Sequence, residues 1–464
     1  MKNKFELGFV EKLVFTNYKI RSKAIQVNGE IDDNFKLVSK DNIFFFKIYP
    51  KNTNEEFVKF QIDILHSLKK NKKTSSNTPT LNGNVVGSFQ DKDNNLRFFR
   101  MNSWIEGRLW SKVNPINKSL RFELGGISAK ILNELKKVKK QYIRENFNWD
   151  LQNFLWTEKY INEFDISKRN VIEKLISNFK QQEEKYKQLR KSIIHNDIND
   201  NNIIVSEDLK MPSINGIIDF GDCTYTQLIN EVAILCTYAI IGSKNPLISA
   251  CEVLEGFNNS LKIKEEEIDF LYDLILMRIT VSLIKSSLNK KNNRENKYLV
   301  ISQDDMKLLF KNWSIINKEL AICFFRKSCG YCPHKNEKKF SAIIRKNNSS
   351  LNILFKTLNK KDPKLIDMSV SSEWLDNEMI IDNNRFEQKL KSNSEDKLLC
   401  GGYLEIRPVY DSLDYEKITD YGTENRTTHL GIDFWVYEKT PVYSIKDGFV
   451  KIITNDKTKK GYGG

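Results

Sequence analysis

The chain has 464 residues and a formal charge of +14, with 40% hydrophobic and 29% charged residues. That length predicts two to three domains with ample core, and no run of about 18 uninterrupted apolar residues is present to span a membrane. Lysine is spread along the chain with Asn and Ile rather than gathered into a basic stripe with interleaved aromatics, so the charge argues for neither a nucleic-acid partner nor a membrane surface.

The opening MKNKFELGFVEKL carries acids where an export signal needs apolar residues. Together with seven scattered cysteines, it predicts a cytoplasmic chain without a disulfide framework. Residues 23–50, AIQVNGEIDDNFKLVSKDNIFFFKIYP from Ala24 on, read as consecutive strands joined by polar turns at Asn28-Gly29 and at residues 39–42. Lys47 ends the aromatic strand Phe44-Phe45-Phe46. A lysine in that place either marks the surfacing of a buried strand or reaches nucleotide phosphates. No complete G-x-G-x-x-G precedes it, which leaves the turn at residues 29–34 to cover them.

Residues 54–68 are helical by the spacing of Phe57, Phe60, Ile64, Leu65 and Leu68, with Asn54 or Thr53 as cap. This helix is expected to supply the acidic partner of Lys47. Glu55, Glu56, Gln61 and Asp63 all remain open for that place. A strand over 96–101 and the hinge-like Trp104-Ile-Glu-Gly-Arg follow. From residue 117 onward helices dominate, over 120–138, 149–162, 169–190, 228–241 and 265–288. The most apolar part, residues 271–284, is interrupted by Asp273 and Arg278.

Inside that helical half lies SIIHNDINDNNIIV, a polar break, and INGIIDFGD. The spacing is H-x-D-x-x-x-x-N at His195, Asp197 and Asn202, then Asp-Phe-Gly at 219–221. Phosphoryl transfer from ATP needs a carboxylate beside the incoming hydroxyl, and an amide plus a second carboxylate for the magnesium that bridges the phosphates. Asp197, Asn202 and Asp219 supply that set, and a hairpin of the two apolar runs would bring Asn202 and Asp219 to one end of a sheet. Asp and Asn also mark ordinary turns. The three together, each beside an apolar run, favour the kinase-like site.

Between residues 326 and 400 the pattern weakens into a polar connector, with short helices over 349–358 and 386–390. Cys329-Gly-Tyr-Cys332 with His334 has metal-like spacing but no second pair nearby, and reads as a turn. Residues 401–464 change character: the runs Thr440-Pro-Val-Tyr-Ser-Ile and Gly448-Phe-Val-Lys-Ile-Ile predict a partial antiparallel β domain. His429 and Asp433 form H-x-x-x-D, two ligands of an incomplete zinc site, since a catalytic zinc takes about three protein ligands and water.

The stretch from LRKSIIHNDINDNNIIV to INGIIDFGDCTYTQLINEVAILCTYAII, with residues 30–35, the FFFKI strand and Trp149-Asp-Leu, resembles the aminoglycoside phosphotransferase and choline kinase superfamily, most closely its hydroxylysine-kinase type. The likeness covers residues 10 to 325. It implies an α+β, protein-kinase-like bilobal fold, with a β-rich N-lobe over 1–105 and a helical C-lobe over 106–325. It also implies Asp197 as base, Asn202 and Asp219 as magnesium ligands, Lys47 on the ATP phosphates, His195 bracing the loop and Asp222 orienting it. Two departures stand out: Gln61 where relatives place the lysine's glutamate, and Asn196 where Gly is common. The tail is similar to the lysostaphin-like zinc endopeptidase fold, with the matching H-x-H absent. The order of segments resembles bacterial fusions that continue into a class III aminotransferase, so a missing C-terminal domain or aminotransferase partner is expected.

The leading expectation is therefore a kinase acting on a hydroxyl of a small molecule, an amino alcohol, with Trp149 and Asp150 near the acceptor. A degenerate zinc endopeptidase-like module and a catalytically silent nucleotide-binding scaffold are the alternatives.

Overall fold

In the computed structural model the chain divides into two compact units, Met1–His334 and Lys335–Gly464. The structure describes residues 5–453 apart from 28, 30–31, 140, 145, 293–297, 347–350, 358–362, 376–381, 395–397, 409–414, 420–421, 426 and 451–452. Part of the turn expected over the phosphates, residues 30 and 31, lies outside the described residues.

Alternation builds the first layer of the N-terminal unit. Strands β1 (Lys23–Val27), β2 (Asp33–Val38), β3 (Ile43–Ile48), β4 (Asn77–Thr78), β5 (Gly87–Gln90) and β6 (Leu96–Ser103) form one sheet in the order β1-β2-β3-β6-β4, with β5 also on β6. Phe35, Leu37, Phe46, Ile48, Phe99 and Met101 point to one face, where they meet helix α1 (Leu7–Tyr18) through Val10, Val14 and Tyr18. Each fully buried side chain of this kind contributes roughly 1.5–3 kcal/mol. By the period of two, Lys47 faces the other way. Helix α1 was not legible as such: the acids that exclude a signal flank and occupy it, and Glu11 accepts a hydrogen bond from the Ala24 amide at 2.9 Å. Helix α2 (Glu55–Ser67) starts where expected, with Asn54 as the cap accepting from Glu56 N at 2.7 Å.

Beyond β7 (Arg108–Leu109) the unit is helical. Helix α3 (Lys118–Leu135), a 3-10 helix over Leu151–Glu163, α4 (Ile166–Lys187), α5 (Leu228–Ala239), α6 (Pro246–Ser260), α7 (Glu265–Asn292), α8 (Tyr298–Ser314) and α9 (Lys318–Ser328) follow. The helix expected over 149–162 is thus present but wound as 3-10. Every residue of α5 is buried, as suits a largely apolar helix, and its Asn230 and Glu231 are buried with it. Helices α3 and α6 approach closely at two glycines: a Cβ on Gly125 would come within 2.1 Å of the Val253 carbonyl oxygen, and one on Gly256 within 1.9 Å of the Phe122 carbonyl oxygen. Gly256→Ala is expected to destabilise the protein by about 1–3 kcal/mol through overpacking, read as a lower midpoint in scanning calorimetry; an unchanged midpoint would contradict this packing.

Four short strands are embedded among these helices: β8 (Lys191–Ile194), β9 (Ile203–Val205), β10 (Ile214–Ile217) and β11 (Thr224–Gln227). β9 pairs antiparallel with β10, with Ile203 opposite Ile217, while β8 pairs with β11. This small β insert carries the loops of interest. Among the described residues no helix is long and apolar enough to cross a membrane.

In the second unit, β12 (Lys364–Ile366), β13 (Leu399–Gly401) and β16 (Phe434–Trp435) form a sheet, and β14 (Glu416–Thr419) pairs with β15 (Gly422–Asn425). Ile366, Met368, Leu390 and Leu399 are its small core. The stretch read as a connector therefore contributes β12 to the same sheet as the tail. Helices stand at Leu351–Leu354 and Asn383–Asn393 near the expected places. The alternating runs at 440–445 and 448–450 are not strands. Their apolar side chains lie in solvent, Phe449 at 94% exposure, and alternation without a partner strand and a covering face does not make a sheet.

Candidate active site

The loop from His195 to Asn202 leaves β8 and enters β9, and its conformation is set by groups behind it. Glu231, fully buried in the first turn of α5, accepts the His195 amide at 3.2 Å and the Asn196 amide at 2.9 Å. The His195 ring braces the loop across the hairpin, with Nε2 at 2.9 Å from the Ile218 carbonyl and Nδ1 accepting from the Asp197 amide at 3.3 Å. Asn196 has φ +66°. Asn tolerates this left-handed region, so the departure from Gly is accommodated.

Asp197 is held by three side chains. Oδ2 accepts from Asn199 Nδ2 at 2.9 Å and from Asn202 Nδ2 at 3.0 Å, and Oδ1 accepts from Arg278 Nη2 at 2.8 Å. Burial raises its pKa to about 7, with Asp222 and Asp219 pushing the same way and Arg278 opposing. Asn202 spends its Nδ2 on Asp197 and its backbone carbonyl on the Ile218 amide at 2.9 Å. That last bond, one residue beyond the Ile203/Ile217 pair, carries Asn202 and Asp219 to the same end of the hairpin.

Asp219 sits at φ +60° at the start of a short 3-10 turn, and its Oδ1 accepts from the Gly221 amide at 3.2 Å. Lys47 Nζ lies 3.4 Å from the same oxygen. The lysine holds the Asp219 carboxyl below the usual carboxylate range against the effect of burial. Burial disfavours the Lys47 charge in turn, but Asp219 and Asp32 outweigh it and raise its pKa. An amide oxygen and an ionised carboxylate are hard oxygen donors of the kind magnesium takes, so Asn202 Oδ1 and Asp219 fit that ion.

The family model described as the phosphotransferase enzyme family matches residues 23–255, from β1 into α6 and half of the chain. The chain belongs to this phosphotransferase family. It is similar to hydroxylysine kinase from Mus musculus, 33% identical over 217 residues, and from Bos taurus, 31% identical over 215 residues; each match covers 44% of this chain. The chain spans 57% of the length of these two curated relatives. Among solved structures, a microcompartment-associated aminopropanol kinase is matched over 70% of this chain and 99% of its own, at a TM-score of 0.51 and 13% identity. The kinase-like bilobal fold is shared.

The expected helix-borne partner of Lys47 is corrected. Among the described residues its nearest carboxylate is Asp32, at 2.6 Å, just ahead of β2. Glu55 pairs with Lys59 at 2.9 Å on the helix surface. Gln61 faces inward instead, donating to the Gly221 carbonyl at 3.1 Å and accepting from the Tyr49 hydroxyl at 2.8 Å. A neutral amide thus ties α2 to the Asp-Phe-Gly turn without contributing charge. Asp222 pairs with Arg144 at 2.7 Å.

Asp150, expected near the acceptor, is buried and spent on structure. It caps the 3-10 helix through Gln152 N at 3.1 Å and accepts from Thr226 Oγ1 at 3.0 Å, and burial raises its pKa. Trp149 lies beside the loop, its ring 4.5 Å from the Arg278 guanidinium. Glu231 and Arg278 were missed as site residues. Glu231 is the one charge of α5, and Arg278 is one of two, with Asp273, in the apolar stretch 271–284 of α7; charges in such runs were the available signal.

The tail pair is close as well: His429 Nε2 lies 3.4 Å from Asp433 Oδ2. The same carboxylate oxygen meets Arg407 Nη1 at 2.5 Å, so Asp433 is already paired with a cation. Among the described residues no three His, Cys, Asp or Glu side chains converge as metal ligands, Cys329 and Cys332 included.

Proposed function

We propose that this chain is an ATP-dependent phosphotransferase that phosphorylates a hydroxyl of a small amine-bearing molecule. Residues 1–105 and 106–325 serve as the two lobes of the kinase unit. The observation that carries the reading is the hydrogen-bonded triad of Asp197, Asn202 and Arg278 at the mouth of a hairpin whose other strand delivers Asp219. Asp197 accepts the proton of the acceptor hydroxyl as the new oxygen–phosphorus bond forms and the bond to the bridging oxygen of ADP breaks. A base with pKa near the working pH suits that role. Lys47 turns from Asp32 to the nucleotide phosphates. Magnesium on Asn202 and Asp219 would neutralise the charge of the phosphates.

The acceptor class is inferred from the hydroxylysine kinases, whose named substrate is an amine that bears a hydroxyl. His429 and Asp433 have no part in this reading. The test is ADP formation from MgATP across a panel of hydroxylated amines and hydroxy amino acids. Acceptor-dependent ADP is expected, and its absence with every acceptor would overturn the reading.

A further inference from the structure

Arg278 interrupts the apolar run of α7 and is fully buried. Burying a guanidinium is costly unless it is paired, and the described ion pair it makes is with Asp197, 2.8 Å away and 81 residues earlier. Its Nη1 donates to the Trp149 carbonyl at 3.3 Å, and the guanidinium lies 4.5 Å from the Trp149 ring and 5.3 Å from the Tyr238 ring. The arginine is therefore gripped by the segment leading into the 3-10 helix, by α5 and by its own helix. A planar cation between two aromatic rings has few ways to move.

The consequence falls on the Asp197 carboxylate. Asn199 and Asn202 engage one oxygen and Arg278 the other, so rotation about the bond to the carboxylate would break contacts on both sides. Asn199 and Asn202 sit on the same loop as Asp197 and move with it. Of the three, Arg278 is the contact to the Asp197 carboxylate from outside that loop, while Glu231 of α5 holds the loop backbone.

We propose that Arg278 is a positioning residue for phosphoryl transfer, fixing the orientation of the Asp197 carboxylate toward the acceptor hydroxyl. The inference rests on the reading of Asp197 as the base. Arg278 touches neither nucleotide nor metal ligands in this role, so its loss acts on turnover rather than on nucleotide affinity.

The experiment is a double-mutant cycle: Arg278→Met and Arg278→Lys, each alone and combined with Asp197→Asn. It reads kcat for phosphate transfer to the best acceptor and the dissociation constant of MgATP. A displacement of about 1 Å at a reacting group costs on the order of 100-fold. Arg278→Met is accordingly expected to lower kcat by about 100-fold with nucleotide affinity within about twofold, and Arg278→Lys to recover about tenfold of that loss. On the Asp197→Asn background, Arg278→Met is expected to cost less than about twofold more, because residues that act as one unit are non-additive.

Full kcat in folded Arg278→Met, or the same loss on both backgrounds, would overturn the proposal. If Arg278→Met does not fold, Arg278→Lys carries the cycle, with equal losses on both backgrounds as the contradicting outcome. A wild type that transfers phosphate while Arg278 variants are fully active removes this proposal alone. A wild type that transfers none removes the base reading and this proposal with it.

Discussion

Asp197→Asn is expected to lower kcat by about 1,000-fold while the dissociation constant of MgATP stays close to that of the wild type. Positioned general bases contribute about 100- to 10,000-fold, and the amide keeps the shape of the carboxylate while losing its ability to accept the hydroxyl proton. The substitution also replaces an acceptor that faces three donors, Asn199, Asn202 and Arg278. Arg278 then becomes a buried cation without its ion partner, and that costs stability beyond the lost chemistry. The thermal midpoint should fall along with kcat. A variant that keeps full turnover would exclude Asp197 as the base.

Asp219→Ala is the second large effect, with a different signature. Metal stabilisation of transferring phosphates is worth several kcal/mol, so removing one of its two oxygen donors should cost about 1,000-fold in kcat/KM, with weaker MgATP binding included in the loss. The same change frees Lys47 from one of its two carboxylates, leaving it 2.6 Å from Asp32. A steeper magnesium requirement in the variant than in the wild type is the distinguishing readout. Equal magnesium dependence in both proteins would contradict the metal role.

The contrast between these residues and those that were missed follows from how far apart the interacting groups lie. His195, Asp197 and Asn202 fall within eight residues, and Asp219 lies one hairpin away, so local spacing carried the geometry. The hairpin fixed the rest, because Ile203 opposite Ile217 leaves no choice about where Asn202 and Asp219 emerge. Asp32 and Arg278 answer to tertiary packing instead. Which carboxylate meets Lys47 depends on where Asp32, ahead of β2, comes to lie against β3, and helical spacing on α2 could not reveal it. The Gln61 departure was the clue that the pairing had moved.

Arg278 was visible, together with Asp273, as a charge that interrupts the apolar stretch 271–284 of α7. Its partner was not, since nothing local links α7 to the loop after β8. The α1 helix was hidden by its own acids, one of which, Glu11, caps the edge of β1. The tail shows the opposite failure: its alternation was plain in the sequence, while the partner strands that alternation needs are not found at 440–445 or 448–450.

The most direct measurement is transfer itself. The protein is incubated with magnesium and ATP labelled in the γ-phosphoryl group, together with a mixture of hydroxylated amines, and the acceptors are weighed by mass spectrometry. The expected result is one acceptor that carries the labelled phosphoryl group on oxygen with the wild type, at a rate reduced by about 1,000-fold with Asp197→Asn. Wild type that binds MgATP yet labels no acceptor, or equal labelling by both proteins, would contradict the phosphotransferase assignment of Asp197, Asn202, Asp219 and Lys47.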